Sequence, residues 1–369
     1  MGRHAVGHGI EAEFDANTGA VELYSNNGVL QNDWPERGDI PRSKICSIRV
    51  AEGTVRLLNE PEKLQKDTKQ AYSRPFQDLI SLEKIDLSGF DTSNMTDMSG
   101  MFESCTSIKA LDLNGMNTSK VTNMSRMFRY CRKLATLNLG DVDTSNVTNM
   151  SGMFDGCESL TELDLSNLET KNVTNMSNMF AVCQAICTLD LSGLDTSNVT
   201  DMSGMFRRCA GLTTLDLGGL NTSNVTNMES MFEDCQKLKD LNIRGFDTTK
   251  VENMNRMFAW CYTLTSIDTQ YINPKSATET RNMFRDCQAL THLDVSHFNT
   301  SNVTNMNCMF YRCSGLEQIN IRNFDISNVK SMGGMFAYCK GMKIINMPPI
   351  IPKNIMTADI FLECNAQIS

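Results

Sequence analysis

The chain has 369 residues, a formal net charge of −9 and fourteen cysteines. An acidic balance supports solubility and repels phosphate, which argues against a nucleic-acid backbone as partner. No stretch approaches the roughly 20 consecutive apolar residues of a membrane-spanning helix, so no membrane insertion is expected.

Taken in order, the opening Met1-Gly2-Arg3-His4 has no apolar core of a signal peptide, and no leader is expected within the chain. Residues 1–75 do not repeat. Glu11–Asp15 and Val21–Ser25 alternate as two strands around the Asn/Gly turn Ala16–Ala20, and a second strand pair is predicted at Ile45–Val50 and Thr54–Leu58 around Ala51-Glu52-Gly53. This segment reads as an N-terminal β cap with Trp34 in its core, covering the strand edges that an open repeat stack would expose. The charged stretch Asn59–Ser73 reads as a linker or a solvated helix.

From residue 76 the chain is periodic. A Met-Phe pair recurs ten times, from Met101-Phe102 to Met335-Phe336, always 26 residues apart. A fixed period of that size marks a solenoid whose units bury their apolar faces only by stacking. Leu160-Thr161-Glu162-Leu163-Asp164-Leu165 has the two-residue alternation of a half-buried strand. Asp143-Thr144-Ser145-Asn146 carries side chains that favour Asx and hydroxyl turns. Val147, Met150, Met153, Phe154 and Cys157 follow at spacings of three and four, which predicts a short helical arc. The predicted fold is therefore an α/β solenoid: a leucine-rich-repeat-like, right-handed coil of about ten 26-residue repeats over 76–347, with one continuous parallel sheet face. The unit from Asp268 to Phe284 departs from the pattern, with Pro274 in a corner and Ala277 and Thr280 replacing valine and methionine, and is expected to be bent or weakened. Residues 348–369 read as a partial coil acting as a C-terminal cap.

Eleven of the cysteines, from Cys105 to Cys364, follow the repeated phenylalanine by three residues. They read as a column of buried thiols, because parallel stacking points them the same way and disfavours disulfide geometry. Outward-facing positions of the predicted strands form two columns. One is almost wholly Asp and Asn, from Asp86 to Asn346, and reads as a solvated or hydrogen-bonded ladder. The other varies, with Glu162, Thr188, Thr214, Asp240, His292 and Gln318, and variation at an exposed position of a regular frame is where recognition can be encoded. A second variable strip follows each phenylalanine and holds Trp260, Tyr262, Tyr311 and Tyr338, residue types favoured at interface hot spots. Asp155 and Gly156 belong to the same strip and read as positions the repeat leaves free. The four histidines, His4, His8, His292 and His297, form neither a metal-binding helix motif nor a nucleophile–base pair. No catalytic residue, metal site or cofactor is predicted.

The stretch Phe90-Asp91-Thr92-Ser93-Asn94-Met95-Thr96-Asp97-Met98-Ser99-Gly100-Met101-Phe102-Glu103-Ser104-Cys105 and its copies resemble the repeats of the BspA-like bacterial surface proteins, a leucine-rich-repeat family. The resemblance implies a non-enzymatic, secreted or surface-attached adhesion module. It also implies protein or glycan partners on host extracellular matrix, host cells or other microbes. The sequence alone keeps a second reading open, a structural spacer or intracellular, cytoplasmic protein-interaction scaffold without a ligand site of its own.

Overall fold

The computed structural model describes residues 3–30, 40–57 and 74–369. Trp34 and the charged stretch 59–73 lie outside the described residues. The chain divides into two compact units, Met1–Val173 and Thr174–Ser369. Each is a β-solenoid of stacked 26-residue coils, and no α-helix occurs among the described residues.

In the first unit, β1 (His4–Asp15) and β2 (Ala20–Leu30) form the expected antiparallel hairpin. The second predicted pair does not form a hairpin. β3 (Ser47–Glu52) and β4 (Val55–Arg56) each run parallel to β2, one beyond the other along the same edge. The corner between them is turned by Gly53 at φ 76°, where a Cβ would come within 2.0 Å of the Ser25 carbonyl oxygen. β3 then pairs in parallel with β5 (Lys84–Ile85), and β4 with β6 (Phe90–Asp91). The N-terminal strands thus follow the path of the first repeat coil and hand their register to it.

The sheet face is intermittent. β7 (Ala110–Asp112) pairs with β8 (Thr136–Asn138) in the first unit. In the second, β9 (Thr214–Asp216) pairs with β10 (Asp240–Asn242), and β12 (Ile344–Asn346) pairs with β11 (Gln318–Asn320) on one side and β13 (Gln367–Ile368) on the other. The coils at Glu162, Thr188, Ser266 and His292 contribute no strand. Next to β8 the face opens into a cavity of about 140 Å³ lined by Leu137–Val142, Asp164, Asn167 and Leu168. The expected parallel sheet face is present but interrupted, and a second ladder runs one corner away. Parallel bridges run Asp97–Asn123–Asn149 in the first unit and from Asn175 through Asp201, Asn227, Asn253, Glu279 and Asn305 to Ser331 and Met356 in the second.

The expected helical arc is not a helix. Alternate backbone N–H groups leave the coil altogether: Met98, Gly100, Phe102 and Ser104 donate to the carbonyls of Asn123, Ser125, Met127 and Arg129 of the next coil at 2.7–2.9 Å. The residues between them, Met101, Glu103 and Cys105, donate three positions back within their own coil. Two left-handed residues per coil enforce this alternation, for example Gly152 and Gly156 at φ 60° and 75°. An α-helix would require right-handed geometry at both. Spacings of three and four arise here because successive turns, like helical ones, return the side chain to the same side.

Inside the coils the repeated residues form columns. Phenylalanine rings stack at 5.4–6.0 Å from Phe76 to Phe154 in the first unit, and at 5.4–5.9 Å from Phe180 to Phe361 in the second. The buried thiols donate to the phenylalanine carbonyl of the preceding coil, as Cys131 Sγ does to Phe102 at 3.1 Å and Cys235 Sγ to Phe206 at 3.1 Å. Ten cysteines of the column are buried free thiols, and Cys364 in the last coil is half-buried. A third column is the buried threonine of each Asp-Thr-Ser-Asn corner. Thr118 Oγ1 donates to the Asp143 carbonyl at 2.9 Å, and Thr222 Oγ1 both donates to the Asp247 carbonyl at 3.1 Å and accepts its N–H at 2.8 Å.

The irregular coil remains in register. Thr269–Tyr271 form a short 3-10 turn, the buried Thr280 hydroxyl donates to the Asn305 carbonyl at 3.3 Å, and Phe284 stacks between Phe258 and Phe310.

Replacing Phe232 by Ala is expected to cost about 3–5 kcal/mol in denaturant unfolding. The same change at the half-buried Phe361 is expected to cost clearly less. Burial pushes the thiols of Cys105, Cys261 and Cys339 up to about 12 from 9.0. The native state therefore holds these protons more tightly than the unfolded chain. Their contribution to stability is complete below pH 9 and is lost between pH 9 and about 12. A melting-temperature series across that window should fall steeply, and Cys261→Ala should flatten it.

Candidate functional site

The repeat explains most polar side chains as scaffold. In the Asp/Asn column, Asp164 accepts the Ser166 N–H at 2.9 Å and Asp294 accepts the Ser296 N–H and hydroxyl at 2.9 and 2.7 Å. These hydrogen bonds hold both carboxyls below the usual carboxylate range. Two asparagines of this column bridge the coils, Asn138 Nδ2 donating to Asp112 at 3.1 Å and Asn242 Nδ2 to Asp216 at 2.7 Å. His297 Nε2 lies 2.9 Å from the Thr269 carbonyl oxygen and braces the irregular coil. Among the described residues, no group of three or more His, Cys, Asp or Glu side chains is placed to hold a metal ion.

The variable column lies where the alternation placed it. Glu162 is exposed in the first unit, and Thr188, Thr214, Asp240, His292 and Gln318 are exposed in the second. Thr214 and Asp240 are register neighbours on β9 and β10, and the His292 ring contacts the Thr291 hydroxyl at 3.1 Å. The coils at Ser266 and His292, which contribute no strand, separate Asp240 from Gln318, so this column is not carried on one continuous sheet. Asp155 and Gly156 are not free positions. Asp155 is buried and binds Arg129 Nε at 2.9 Å, and a Cβ on Gly156 would meet the Tyr130 ring at 2.5 Å.

The aromatic strip of the second unit is a cluster. The Arg285 guanidinium lies 5.4 Å from the Trp260 ring and 4.4 Å from that of Tyr311. Arg312 lies 5.8 Å from Tyr311 and 5.6 Å from Tyr338, and the two tyrosine rings meet edge to face at 5.4 Å. Beneath them the buried Asp286 carboxylate receives Arg285 at 3.3 Å and Arg312 at 3.9 Å. Tyr262 projects from the coil of Trp260, and burial together with Asp286 and Asp234 pushes its hydroxyl up. Sequence reasoning found the four aromatic residues but missed Arg285 and Asp286. The residue pair Arg285-Asp286 stands at the positions occupied by Ala259-Trp260 and Tyr311-Arg312 in the neighbouring coils, a 26-residue alignment that carried the signal.

Trp260 and Tyr338 sit at φ 60° and 61°, in the left-handed position that recurs from coil to coil and that Gly156 fills in the first unit. Ser104, Tyr130, Val182 and Arg208 hold the same position elsewhere, so this backbone conformation belongs to the scaffold.

The architecture defines a leucine-rich-type β-solenoid. Residues 70–189, 183–292 and 263–347 match the family described as "Mycoplasma protein of unknown function, DUF285". Those stretches make up well over half of the sequence, and the chain belongs to that family. No curated protein matches it. Among solved structures it is similar to a leucine-rich repeat protein from Eubacterium ventriosum, with 15% identity, coverage of 81% of this chain and 98% of that one, and a TM-score of 0.37. It is similar to a leucine rich cell surface protein from Faecalibacterium prausnitzii at 14% identity, covering 100% and 95% of the two chains with a TM-score of 0.35. A leucine-rich repeat protein from Bacteroides ovatus gives 16% identity, 96% and 91% coverage and a TM-score of 0.33.

Asp286 sits at φ 60°, a conformation that Asn adopts as readily as Asp, so Asp286→Asn isolates the loss of charge. It is expected to cost about 1–3 kcal/mol by leaving Arg285 and Arg312 without their counter-charge. Asp234→Asn, at the more exposed pair with Arg208, should cost less than about 1 kcal/mol in the same urea titration.

Proposed function

We propose that this chain is a non-catalytic binding module of the adhesion type, and that the Trp260–Tyr338 cluster is its contact surface for a protein or glycan partner on another cell or matrix. The observation that carries this reading is the aromatic–arginine cluster itself, in which Trp260, Tyr311 and Tyr338 are interleaved with Arg285 and Arg312 on successive coils. Tyr, Trp and Arg dominate binding hot spots because they offer large, rigid, amphipathic area at low entropic cost. The resemblance of the repeats to BspA-like surface proteins supports a secreted or cell-surface location. Among the described residues no helix is long and apolar enough to cross a membrane.

Trp260→Gly tests this reading. The change relieves the backbone cost while removing the ring, so unfolding free energy should stay within about 1 kcal/mol of wild type. Binding of the labelled chain to epithelial cells and matrix-coated plates should fall at least to the level of a Trp260→Gly/Tyr311→Ala/Tyr338→Ala triple variant, with Glu162→Ala and Thr214→Ala unaffected. Equal binding by wild type and the triple variant would refute the assignment.

A further inference from the structure

Resting on the reading of this cluster as a contact surface, we infer that it recognises a carboxylated terminal sugar of a glycan, with the Arg312 guanidinium as the carboxylate anchor. Three observations converge on that chemistry.

The first is a local reversal of charge. The arcs 254–262, 280–288 and 306–314 carry Arg256, Arg281, Arg285 and Arg312 against Asp286 alone, in a chain of net charge −9. Of the surrounding carboxylates, Asp234 faces Arg208 at 3.9 Å, Glu229 accepts from Asn253 Nδ2 at 3.0 Å, and Glu252 and Glu279 stand on the adjoining corner, where Glu279 takes part in the bridge ladder. At physiological salt, interactions are screened beyond about 8 Å. The arginines therefore govern close contact, while the acidic body opposes a long polyanion. A ligand bearing one carboxylate satisfies both conditions.

The second is the state of Arg312. Its side chain is 54% exposed, its guanidinium lies near the rings of Tyr311 and Tyr338, and Asp286 sits behind it at 3.9 Å. A guanidinium held in this way is pre-oriented, and its outward N–H donors match a carboxylate in a two-point hydrogen bond. Arg285 is spent inside the cluster between Trp260 and Tyr311.

The third distinguishes a sugar from an acidic peptide. The large exposed aliphatic side chains, such as Ile80, Ile344 and Ile350, lie outside the cluster, where Tyr262 is the large exposed apolar residue. Protein partners seat apolar anchors in such surfaces, whereas tyrosine hydroxyls and ring edges suit a sugar's hydroxyls and C–H groups. Coil spacing points the same way. The parallel bridges from Asn253 through Glu279 and Asn305 to Ser331 set neighbouring coils about 4.8 Å apart, while same-side residues of an extended peptide repeat at about 6.6 Å, so a peptide laid along the coils loses register.

The test is calorimetric titration of the full chain with sialyllactose and with a glucuronate-terminated oligosaccharide, alongside lactose and a tetraglutamate peptide. Saturable binding of a carboxylated sugar is expected, with lactose and peptide at least about tenfold weaker. Arg312→Gln should cut the affinity by about tenfold and Arg312→Lys by less, because lysine keeps the charge and loses the fork. Both should melt as wild type does, and Glu162→Gln should bind normally. Lactose binding as tightly, preference for the peptide, unchanged affinity in a folded Arg312→Gln, or no binding of either acidic sugar would overturn the proposal. If the sugars fail while Trp260→Gly still abolishes cell binding, the glycan assignment falls and the contact surface stands. If Trp260→Gly and the triple variant bind cells as wild type does, the surface itself falls.

Discussion

Everything in each unit depends on backbone hydrogen bonds that run between coils. Along the arc from Met98 to Cys105, every second N–H is given to the following coil, and the intervening ones close turns within their own. A single coil can satisfy only half of those donors and buries its Phe, Met and Cys side chains on one side only. A buried unpaired backbone group costs as much as a lost hydrogen bond, so coils are stable together and unstable apart. The 26-residue period keeps each donor opposite its acceptor, and the last coil, one residue shorter, keeps the pairing with Met332 N–H given to the Met356 carbonyl.

Side-chain columns reinforce the same direction. The thiol-to-carbonyl bonds, the buried threonine hydroxyls and the stacked phenylalanine rings each link one coil to the next at a fixed position. Cysteine suits its site because it is small and apolar enough for the core and still carries a weak donor for a carbonyl already used by the backbone. Surface polar residues are drawn into the scaffold as well. Asp164 and Asp294, which stand out in the sequence as acidic and exposed, close Asx turns. What remains for recognition is the set of positions whose side chains the ladders do not use, and in the second unit several of these carry aromatic rings and arginines.

The solenoid, its inward columns and the first hairpin were legible because each rests on a period or a local alternation. Two features were not. A spacing of three and four at Val147, Met150, Met153 and Phe154 is shared by a helix and by a chain of turns. Only the left-handed residues distinguish them, and Val182, Trp260 and Tyr338 are types that do not announce that conformation. The intermittent sheet was equally hidden, because Leu160–Leu165 and Leu212–Leu217 read alike while only the second contributes a strand. Of the proposed contact surface, Trp260, Tyr262, Tyr311 and Tyr338 could be named from their types. Asp286 could not, since an aspartate at a left-handed corner looks like a turn residue until its burial beneath Arg285 and Arg312 is seen.

The repeated residues form the scaffold, and the proposed contact surface uses positions that the ladders leave unused. Saturation substitution of one whole coil, residues 248–273, scored by folded yield, tests this division most directly. Thr248, Val251, Met254, Met257, Phe258, Cys261 and Leu264 should accept only replacements close in size and polarity, while Arg256, Trp260 and Tyr262 should accept most residues, with glycine and asparagine favoured at 260. Intolerance at Trp260 and Tyr262 equal to that at Phe258 would contradict the account.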